Sequence, residues 1–372
     1  MKLGINAVRL TRPFTGVGRF AECVLEEWSR MKLPFERVIL YSPAPIDPAR
    51  VIFPLDAFET RVGGPSVPDP LWENAYLPGR AAEVDIFFSP SYTLPLRYPG
   101  KCAVMNLGPS ENRPLTYEWF RSRAYERLYR ASARRADRVF ACSKAVKLRI
   151  VQSYGIPPER VSVAWLAPSR LFIPIGDPQI LEAARRRYSG SDGPFILFVG
   201  KLARRHSIPN LVAAFARLRR KGAPHRLVLA GPDYLGLNVA GIAAREGVGD
   251  AVVHHDFVEH RDLPALYSAA EVFVFPATAA EGFGIPVVEA MACGTPVVSV
   301  SQGSIPEFAS GAAHLVATSS VEDLASGLEK LIGDSGLRRS LREKGLARAA
   351  GITWRVTAER ILSDLEAVAN QR

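Results

Sequence analysis

Residues 271–300 constrain the fold of this chain more than any other stretch. They begin with an apolar run at 272–275, which is typical of a strand buried on both faces of a parallel sheet. A loop with Gly282 and Gly284 follows, and an apolar helix is predicted directly after it, over residues 285–293. The stretch ends in a second apolar run, which is predicted to be the next strand. Such a strand, loop, helix and strand form the repeating unit of α/β folds with parallel sheets.

The junction between this glycine loop and its helix has the chemistry of an anion site. Gly282 and Gly284 let the backbone on either side of Phe283 approach a ligand closely. The helix then begins at Ile285, and the N–H groups of a helix N-terminus carry a partial positive charge. The junction is therefore suited to a diphosphate.

Two carboxylates frame this junction. Glu281 lies in the loop before the helix, and Glu289 lies about one turn into it. An acid beside a phosphate is electrostatically costly, so both are more easily explained if they bind hydroxyl groups. Glu281 is placed for the group beyond the phosphates, and Glu289 for the nucleoside side. A tight turn with a favourable helix-dipole contact is the simpler alternative, but the combination of these features favours a sugar-nucleotide site.

The same residues carry a resemblance to a known family. The segments 281–284, 289–292 and 294–298 resemble the E-x7-E signature of the large retaining glycosyltransferase family with the GT-B fold, family 4. Residues 303–307, predicted to be a loop, and Trp354 also match. The resemblance extends along nearly the whole chain and is strongest in its C-terminal half. It implies an α/β fold with two doubly wound Rossmann-like domains that face each other across a cleft.

The length of 372 residues also favours two domains. We predict an acceptor-side domain over residues 1–170 and a nucleotide-sugar-binding domain over 171–354. The connection between them is placed at 167–177, where two prolines interrupt any periodicity. By resemblance, the last segment, 355–372, is a helix that packs back on the first domain.

A cluster of cations follows the strand predicted at 195–199. Gly200 and Lys201 come directly after this strand, where ligands of open parallel sheets bind. The resemblance implies one basic residue at Lys201 and a second about one turn later, filled here by Arg205 or His206. These cations would hold a diphosphate whose charge grows as its bond to the sugar breaks. An exposed basic loop is the alternative.

His260, Gly16 and Gly18 are further donor-side candidates. By resemblance, the loop that ends at His260 lies under the base. Near the N-terminus, Gly16 and Gly18 are predicted to lie in a loop that leads into a helix over 20–31, where a phosphate or an acceptor could meet them. A structural turn is equally compatible with these two glycines. The third glycine of a dinucleotide fingerprint is missing.

The acceptor side departs from the family pattern. Many relatives have a His-Asp pair after the strand predicted here at 102–107, but this chain has Leu107 and Gly108 in that place. No histidine role can therefore be carried over. Asn106 and Glu111 are the candidate acceptor-side residues, although each is also compatible with an ordinary loop.

The charge balance indicates anionic partners. A formal net charge of +10 suits nucleotide phosphates, a lipid diphosphate or a membrane surface. The arginine-rich helix predicted at 115–137 could meet such a surface or be simply solvated. No nucleic-acid-binding signature accompanies the charge. The first residues are predicted to form a strand rather than a signal peptide, and the four scattered cysteines suit reduced thiols. We therefore expect a cytoplasmic protein, with membrane contact left open.

Together these features predict a glycosyltransferase with a nucleoside diphosphate sugar as substrate and no further cofactor. Lys201 and Arg205 would bind the diphosphate, and Glu281 would contact the sugar. The resemblance implies retention of anomeric configuration without a metal ion, and it makes GDP-mannose a reasonable donor. The acceptor would be a glycan or a lipid-linked sugar in bacterial surface polysaccharide synthesis. A nucleotide-sugar epimerase of the same fold and an inactive relative are the alternatives.

Overall fold

The computed structural model describes residues 1–12, 16–65, 67–108, 117–278 and 281–371, with the backbone alone for 117–122. The chain divides into two compact units. Unit 1 comprises Met1–Leu166 and Trp354–Arg372, and unit 2 comprises Ala167–Thr353. The sequence analysis placed the corresponding boundaries after residues 170 and 354.

Each unit contains one parallel sheet. The strands of unit 1 are β1 (Lys2–Asn6), β2 (Arg37–Ser42), β3 (Glu59–Val62), β4 (Ile86–Ser89), β5 (Lys101–Asn106), β6 (Arg138–Ala141) and β7 (Val161–Val163). Those of unit 2 are β8 (Phe195–Val199), β9 (Arg226–Ala230), β10 (Val252–His255), β11 (Val272–Phe275), β12 (Val297–Val300) and β13 (His314–Val316).

Helices alternate with these strands. They are α1 (Gly16–Trp28), α2 (Asp69–Leu71), α3 (Leu77–Arg80), α4 (Tyr117–Arg135), α5 (Lys144–Tyr154), α6 (Pro178–Ser189), α7 (Ile208–Arg220), α8 (Val239–Arg245), α9 (Leu263–Ala269), α10 (Ile285–Ala292), α11 (Ile305–Ala309), α12 (Val321–Gly333), α13 (Ser335–Ala350) and α14 (Trp354–Asn370). A π-helical turn, Trp72–Tyr76, joins α2 to α3.

Both sheets are doubly wound, as predicted. The strand order is β3-β2-β1-β4-β5-β6-β7 in unit 1 and β10-β9-β8-β11-β12-β13 in unit 2. In each sheet the direction of winding reverses between two neighbouring strands, β1 and β4 in unit 1 and β8 and β11 in unit 2. Ligands of such sheets bind beyond the carboxyl ends of the strands at this switch point. The topology therefore marks one candidate edge in each unit.

Strands buried on both faces were predicted most accurately. The bounds predicted for β8 and β11 are those of the structure, and the residues of β11 are completely or almost completely buried. The predicted helix over 285–293 is α10, which ends one residue earlier. The residues of these elements are apolar without alternation because helices cover both faces of the sheet.

Two predicted loops are helical. Helix α1 begins at Gly16, so Gly16 and Gly18 lie in its first turn and not in a loop before it. Glycine has a low helix propensity, which made this turn look irregular in the sequence. Residues 303–307 were predicted to form a loop, but α11 begins at Ile305 within them.

The C-terminal helix belongs to unit 1. The indole nitrogen of Trp28 in α1 donates a 3.0 Å hydrogen bond to the carbonyl oxygen of Ala358 in α14. The rings of Phe20 and Trp354 meet edge to face at 6.0 Å between centroids. Aromatic packing of this kind fixes α14 against α1.

Candidate functional site

The candidate site in unit 2 lies beyond the carboxyl ends of β8 and β11, which are hydrogen-bonded neighbours. The segment after β8 contains a short 3-10 turn, Arg204–His206, and the segment after β11 leads into α10. The two segments meet directly, because the backbone N–H of Thr278 donates a 2.8 Å hydrogen bond to the carbonyl oxygen of Arg205. The cationic segment and the glycine loop therefore form one site.

Glu281 lies at the centre of this site. The Nε–H of Arg205 donates to Glu281 Oε2 at 2.9 Å, and the Nε2 atom of His206 lies 3.0 Å from the same oxygen. The backbone N–H of Gly282 donates to Glu281 Oε1 at 3.2 Å. The Glu281 side chain is 14% exposed, so it is held by protein groups yet reaches the surface.

The electrostatic setting keeps Glu281 ionised. Burial raises the pKa of this carboxyl, but the hydrogen bond from His206 and the charge of Arg205 outweigh burial and lower the pKa to about 2. The side chain is thus a carboxylate at physiological pH. It can accept hydrogen bonds from the hydroxyl groups of a ligand.

His206 is the residue that the sequence analysis left undecided. Its ring is buried, and its Nδ1 atom lies 2.6 Å from the carbonyl oxygen of Lys201. The rings of Phe198 and Phe275 lie 5.5 and 5.0 Å from it between centroids. His206 and Arg205 therefore both contact Glu281, although only one of the two was expected to occupy the second basic position.

Lys201 stands apart from this cluster. Its side chain is exposed, and its Nζ atom lies 5.1 Å from the centroid of the Tyr234 ring. A cation over an aromatic face at this distance is attracted by the ring quadrupole. The ammonium group therefore has a weak protein partner, which a phosphate could replace.

Two glycines allow the loops after β8 and β9 to approach each other. Gly200 has φ of +150° and Gly231 has φ of +139°. A Cβ atom on Gly231 would overlap the carbonyl oxygen of Gly200. Position 231 requires glycine because the two backbones are in contact, and position 200 favours glycine because of its positive φ.

The start of α10 presents backbone rather than side chains. Gly284 adopts a left-handed conformation with φ of +90°, and a Cβ atom there would lie 2.5 Å from Ile305 Cδ1. The Phe283 ring is buried against Phe308 at 4.8 Å between centroids, and Ser304 Oγ donates a 2.7 Å hydrogen bond to the Phe283 carbonyl oxygen. Only the backbone of Phe283 can therefore serve a ligand. Ile285, the first residue of α10, is partly exposed.

Glu289 occupies a second setting one turn into α10. The buried Tyr267 hydroxyl donates a 2.9 Å hydrogen bond to Glu289 Oε2. Burial raises the pKa of Glu289 to about 7, against the smaller lowering effect of the Tyr267 hydrogen bond. Glu289 is thus poised between its neutral and charged forms near physiological pH.

His260 is connected to Glu289 through aromatic rings. Phe172 lies edge to face with His260 at 5.4 Å and with Tyr267 at 5.8 Å between centroids. Sequence analysis missed both Phe172 and Tyr267, because neither belongs to a motif. Their contacts link His260 to Glu289 through Phe172 and Tyr267.

The unit 1 candidates form a separate group. Asn106 ends β5 and is fully buried, and its Oδ1 accepts a 2.9 Å hydrogen bond from the backbone N–H of Gly108. Its Nδ2 lies near Tyr154 but makes no hydrogen bond of normal geometry to any described residue. Gly16 is exposed and Gly18 is buried in the first turn of α1. Glu111, the other acceptor-side candidate, lies outside the described residues.

A buried glutamate in unit 1 was not predicted. Asn6 at the end of β1 donates through Nδ2 to Glu73 Oε1 at 2.8 Å and to Ser89 Oγ at 3.2 Å. Burial raises the pKa of Glu73. The Thr93 hydroxyl lies close enough to lower that pKa slightly, yet neither Thr93 Oγ1 nor Glu73 Oε2 makes a hydrogen bond of normal geometry within the described part of the chain. Glu73 lies in the segment 43–80, whose poor periodicity gave no signal.

None of the described His, Cys, Asp and Glu side chains form a group of three or more that could hold a metal ion. Among the helices described, none is both long enough and apolar enough to cross a bilayer.

Comparison with known families gives two matches. A family model described as "Glycosyl transferases group 1" matches residues 182–348, which contain the candidate site of unit 2. A second model, "Glycosyltransferase Family 4", matches residues 60–165 in unit 1. The two matched segments do not overlap, and each lies within one unit.

Individual relatives are distant. The alpha-D-kanosaminyltransferase of Streptomyces kanamyceticus is 26% identical over 149 residues, which cover 40% of this chain and 38% of that protein. The O-antigen chain mannosyltransferase B of Escherichia coli is 26% identical over 271 residues, covering 72% of this chain and 71% of that protein. The matched stretch is therefore well under half of the first relative and about seven tenths of the second.

Solved structures show the same fold over the full length. The Anabaena protein HepE, crystallised in complex with UDP and glucose, has a TM-score of 0.76 at 20% identity. The alignment covers 99% of this chain and all of that one. At this identity the likeness concerns the fold.

Proposed function

Because the chain belongs to the group 1 glycosyltransferases of the GT-B fold, we propose that it transfers a sugar from a nucleoside diphosphate sugar to an acceptor hydroxyl. One observation carries this proposal. An ionised glutamate, Glu281, is held by Arg205 and His206 at the junction of a glycine loop and a helix N-terminus, and Lys201 is exposed in the same segment as the two basic residues. Cations, backbone N–H groups and a carboxylate at one place match the diphosphate and the hydroxyl groups of such a donor.

The donor would lie along the carboxyl ends of β8 and β11. Lys201 would bind the diphosphate through its ammonium group, and Arg205 through the guanidinium nitrogens that Glu281 does not use. The start of α10 would add backbone N–H groups and its dipole. Glu281 would accept hydrogen bonds from the sugar.

The nucleoside would extend towards Glu289. A carboxyl group near the end of a diphosphate site can accept a hydrogen bond from each of two ribose hydroxyls. His260, with its ring against Phe172, would line the base. These roles are supported by the contacts that join Glu289, Tyr267, Phe172 and His260 into one wall.

The proposed reaction proceeds without a metal ion and retains the anomeric configuration. The bond between the anomeric carbon and the phosphate oxygen breaks, and the acceptor oxygen bonds to the same face of the sugar. The acceptor proton passes to the departing phosphate. Positive side chains at Lys201 and Arg205 would stabilise the charge that grows on the diphosphate, which is a metal ion's task in other transferases.

The finer identity of the substrates is also proposed. A mannosyltransferase of O-antigen synthesis among the relatives favours GDP-mannose as donor and a surface polysaccharide as product. A lipid-linked acceptor would bring the protein to the inner face of the membrane. Exposed Arg123, Arg127 and Arg130 lie at helical spacing on α4 in unit 1 and would suit the anionic lipids there.

Turnover of radiolabelled sugar nucleotides tests the proposal. The wild-type protein should transfer label to a glycan or lipid-linked acceptor, and Glu281→Ala should reduce kcat/KM by about 100-fold or more, since a preorganised charged group is lost. Glu322→Ala is the matched control, because Glu322 also pairs with an arginine in unit 2 but lies on the exposed surface at Arg217.

Three results would contradict the proposal. Conversion of the donor without any acceptor would indicate an epimerase. Failure of every donor, with no thermal stabilisation by any nucleoside diphosphate, would indicate that the site does not bind one. Equal activity of Glu281→Ala and Glu322→Ala, with both folded, would remove Glu281 from the site.

A further inference from the structure

We propose that His206 is a positioning residue of the donor site, and that its imidazolium form fixes Glu281 and supplies part of the positive charge that binds the donor diphosphate. The inference deepens the proposed function and depends on it for the identity of the ligand. Its first step, the protonation state of the ring, stands on geometry alone.

Both ring nitrogens of His206 face atoms that only accept hydrogen bonds. Nδ1 lies 2.6 Å from the carbonyl oxygen of Lys201, and a carbonyl oxygen has no proton to give. Nε2 lies 3.0 Å from Glu281 Oε2, which already accepts from the Arg205 Nε–H, while Glu281 Oε1 accepts from the Gly282 N–H, so both oxygens act as acceptors. A neutral imidazole has one nitrogen without a proton, so one of these contacts would set two lone pairs against each other. Both contacts are favourable only if both nitrogens carry protons.

The ring is fixed in this position. His206 is 2% exposed and packs against the Phe198 and Phe275 rings, which stack on each other at 6.0 Å between centroids. The next residue, Ser207, adopts a left-handed conformation with φ of 43°, which is uncommon for a residue other than glycine. Its hydroxyl donates a 3.0 Å hydrogen bond to Ser319 Oγ, which holds the turn. His206 therefore acts on a ligand through Glu281 and through its charge.

The charged groups around the ring come from two segments. Glu281 faces it from the loop before α10, and Arg205 faces the same carboxylate from the 3-10 turn. Lys201 contacts the ring through its carbonyl oxygen and directs its ammonium group to Tyr234. The two aromatic rings that pack against it carry no charge.

Protonation of His206 changes the charge offered to a diphosphate. With three cations, Lys201, Arg205 and His206, and one carboxylate, Glu281, the site has a net charge of 3 − 1 = +2. Loss of the His206 proton lowers it to 2 − 1 = +1 and removes the hydrogen bond that holds Glu281 Oε2. The two negative charges of a donor diphosphate are matched by the first state alone. Donor affinity should therefore be lower when the His206 ring is neutral.

Two substitutions separate charge from shape. His206→Lys places an ammonium group, whose ordinary pKa is about 10.4, beside Glu281, and His206→Gln leaves a neutral side chain that can still donate to Glu281. In the wild type, the affinity for a nucleoside diphosphate, UDP or GDP, should fall up to about tenfold per pH unit on the alkaline side. His206→Lys should bind without this decline. His206→Gln should bind about 10-fold more weakly at pH 6 and also without the decline.

The protonation state is read directly from the ligand-free protein. Long-range proton–nitrogen NMR spectra of wild type and His206→Gln identify the His206 ring, and at pH 7 both ring nitrogens should show the shifts of an imidazolium. A ring with one unprotonated nitrogen would overturn the inference. So would a wild-type pH dependence of binding that persists in His206→Lys.

These outcomes are distinct from failure of the proposed function. If no nucleoside diphosphate bound the wild type at any pH, the donor site itself would be wrong, whatever the NMR spectra showed. If binding occurred and the ring were neutral, only the role of His206 would be wrong.

Discussion

The carboxyl ends of the two sheets place a buried carboxyl group in opposite electrostatic settings. In unit 2, Glu281 has contacts from Arg205, His206 and a backbone N–H, and its pKa is lowered to about 2. In unit 1, Glu73 has one amide donor of normal geometry, and burial raises its pKa. The topology of the two edges is the same, and what differs is the number of partners for each buried acid.

The unit 2 site is therefore preorganised for a charged ligand, whereas the buried polar groups of unit 1 lower the stability of the fold. The unit 2 network already holds its carboxylate in the charged form, so little reorganisation is needed when a charged ligand arrives. In unit 1, atoms such as Asn106 Nδ2 and Glu73 Oε2 are buried without hydrogen bonds among the described residues. A group of this kind costs about 1–3 kcal/mol. Substitutions in unit 2 should therefore change ligand binding most, and substitutions in unit 1 should change stability most.

The largest effect is expected from Arg205→Ala. This substitution removes a cation from the proposed diphosphate site and the Nε–H donor from Glu281. We expect kcat/KM for the donor to fall by about 100-fold, with a weaker salt dependence of binding. Initial rates at several donor concentrations, with Arg217→Ala as a surface control, measure this loss. An unchanged kcat/KM would mean that the unit 2 network is structural.

Lys201→Ala should have a smaller effect, mainly on affinity. Lys201 contributes charge but does not hold Glu281, so we expect nucleoside diphosphate binding to weaken by about tenfold. Isothermal titration calorimetry measures the change. Tyr234→Leu, which removes the ring beneath the ammonium group, is the control. Weakening by Tyr234→Leu equal to that by Lys201→Ala would indicate that the ring, and not the cation, binds the ligand.

Glu289→Gln should change stability and binding in opposite directions. The folded-state pKa of Glu289, about 7, lies above its ordinary value of 4.5, so the folded state favours the proton. Its carboxyl group therefore destabilises the fold progressively as pH rises from about 4.5 through 7. We expect Glu289→Gln to be about 1 kcal/mol more stable than the wild type at pH 8 and equally stable at pH 4.5.

Urea unfolding at both pH values measures the change in stability, and titration with a nucleoside diphosphate measures the change in affinity. Glutamine is a poorer acceptor for ribose hydroxyls, so affinity for the nucleoside diphosphate should fall by a few fold. A variant that gained stability at pH 4.5 as well, or that bound the nucleotide more tightly, would contradict the proposed role of Glu289.

The smallest effect is expected in unit 1. Glu73→Gln keeps an oxygen that can accept from Asn6 but removes the buried charge, whose pKa is raised. Stability at pH 8 should rise, because the penalty of the charged form is present above the unfolded-state pKa. Binding of nucleoside diphosphates should not change. Weaker binding in this variant would contradict the inference that the unit 2 edge binds the nucleotide and that the buried groups of unit 1 affect stability alone.

Local patterns explain how much of the fold was predictable. Strands such as β11 are apolar without interruption, which few other structures allow. Strand β3 was not predicted, because it is an edge strand with alternate residues exposed and with charged side chains at Glu59 and Arg61. The start of α1 was predicted too late in the sequence, because Gly16 and Gly18 are poor helix formers.

The candidate site was predictable where its backbone requirements select particular residue types in the sequence. Glycines, a helix start and nearby cations indicated the segments at Lys201 and Glu281. Side-chain contacts between distant segments have no recognisable pattern in the sequence. Tyr267, which donates to Glu289, and Phe172, which contacts His260, belong to no motif. His206 was visible as a basic residue, but its two acceptors are known only from the folded chain.

The contact between Gly200 and Gly231 has a consequence for protein engineering. Libraries that diversify the loops after β8 and β9 to change donor preference should leave both positions untouched, because any side chain on Gly231 would drive the two loops apart. The presence of both glycines can also be used to select related sequences that share this backbone path. A chain that keeps the cations but has lost either glycine would need a different path of the backbone beneath its ligand.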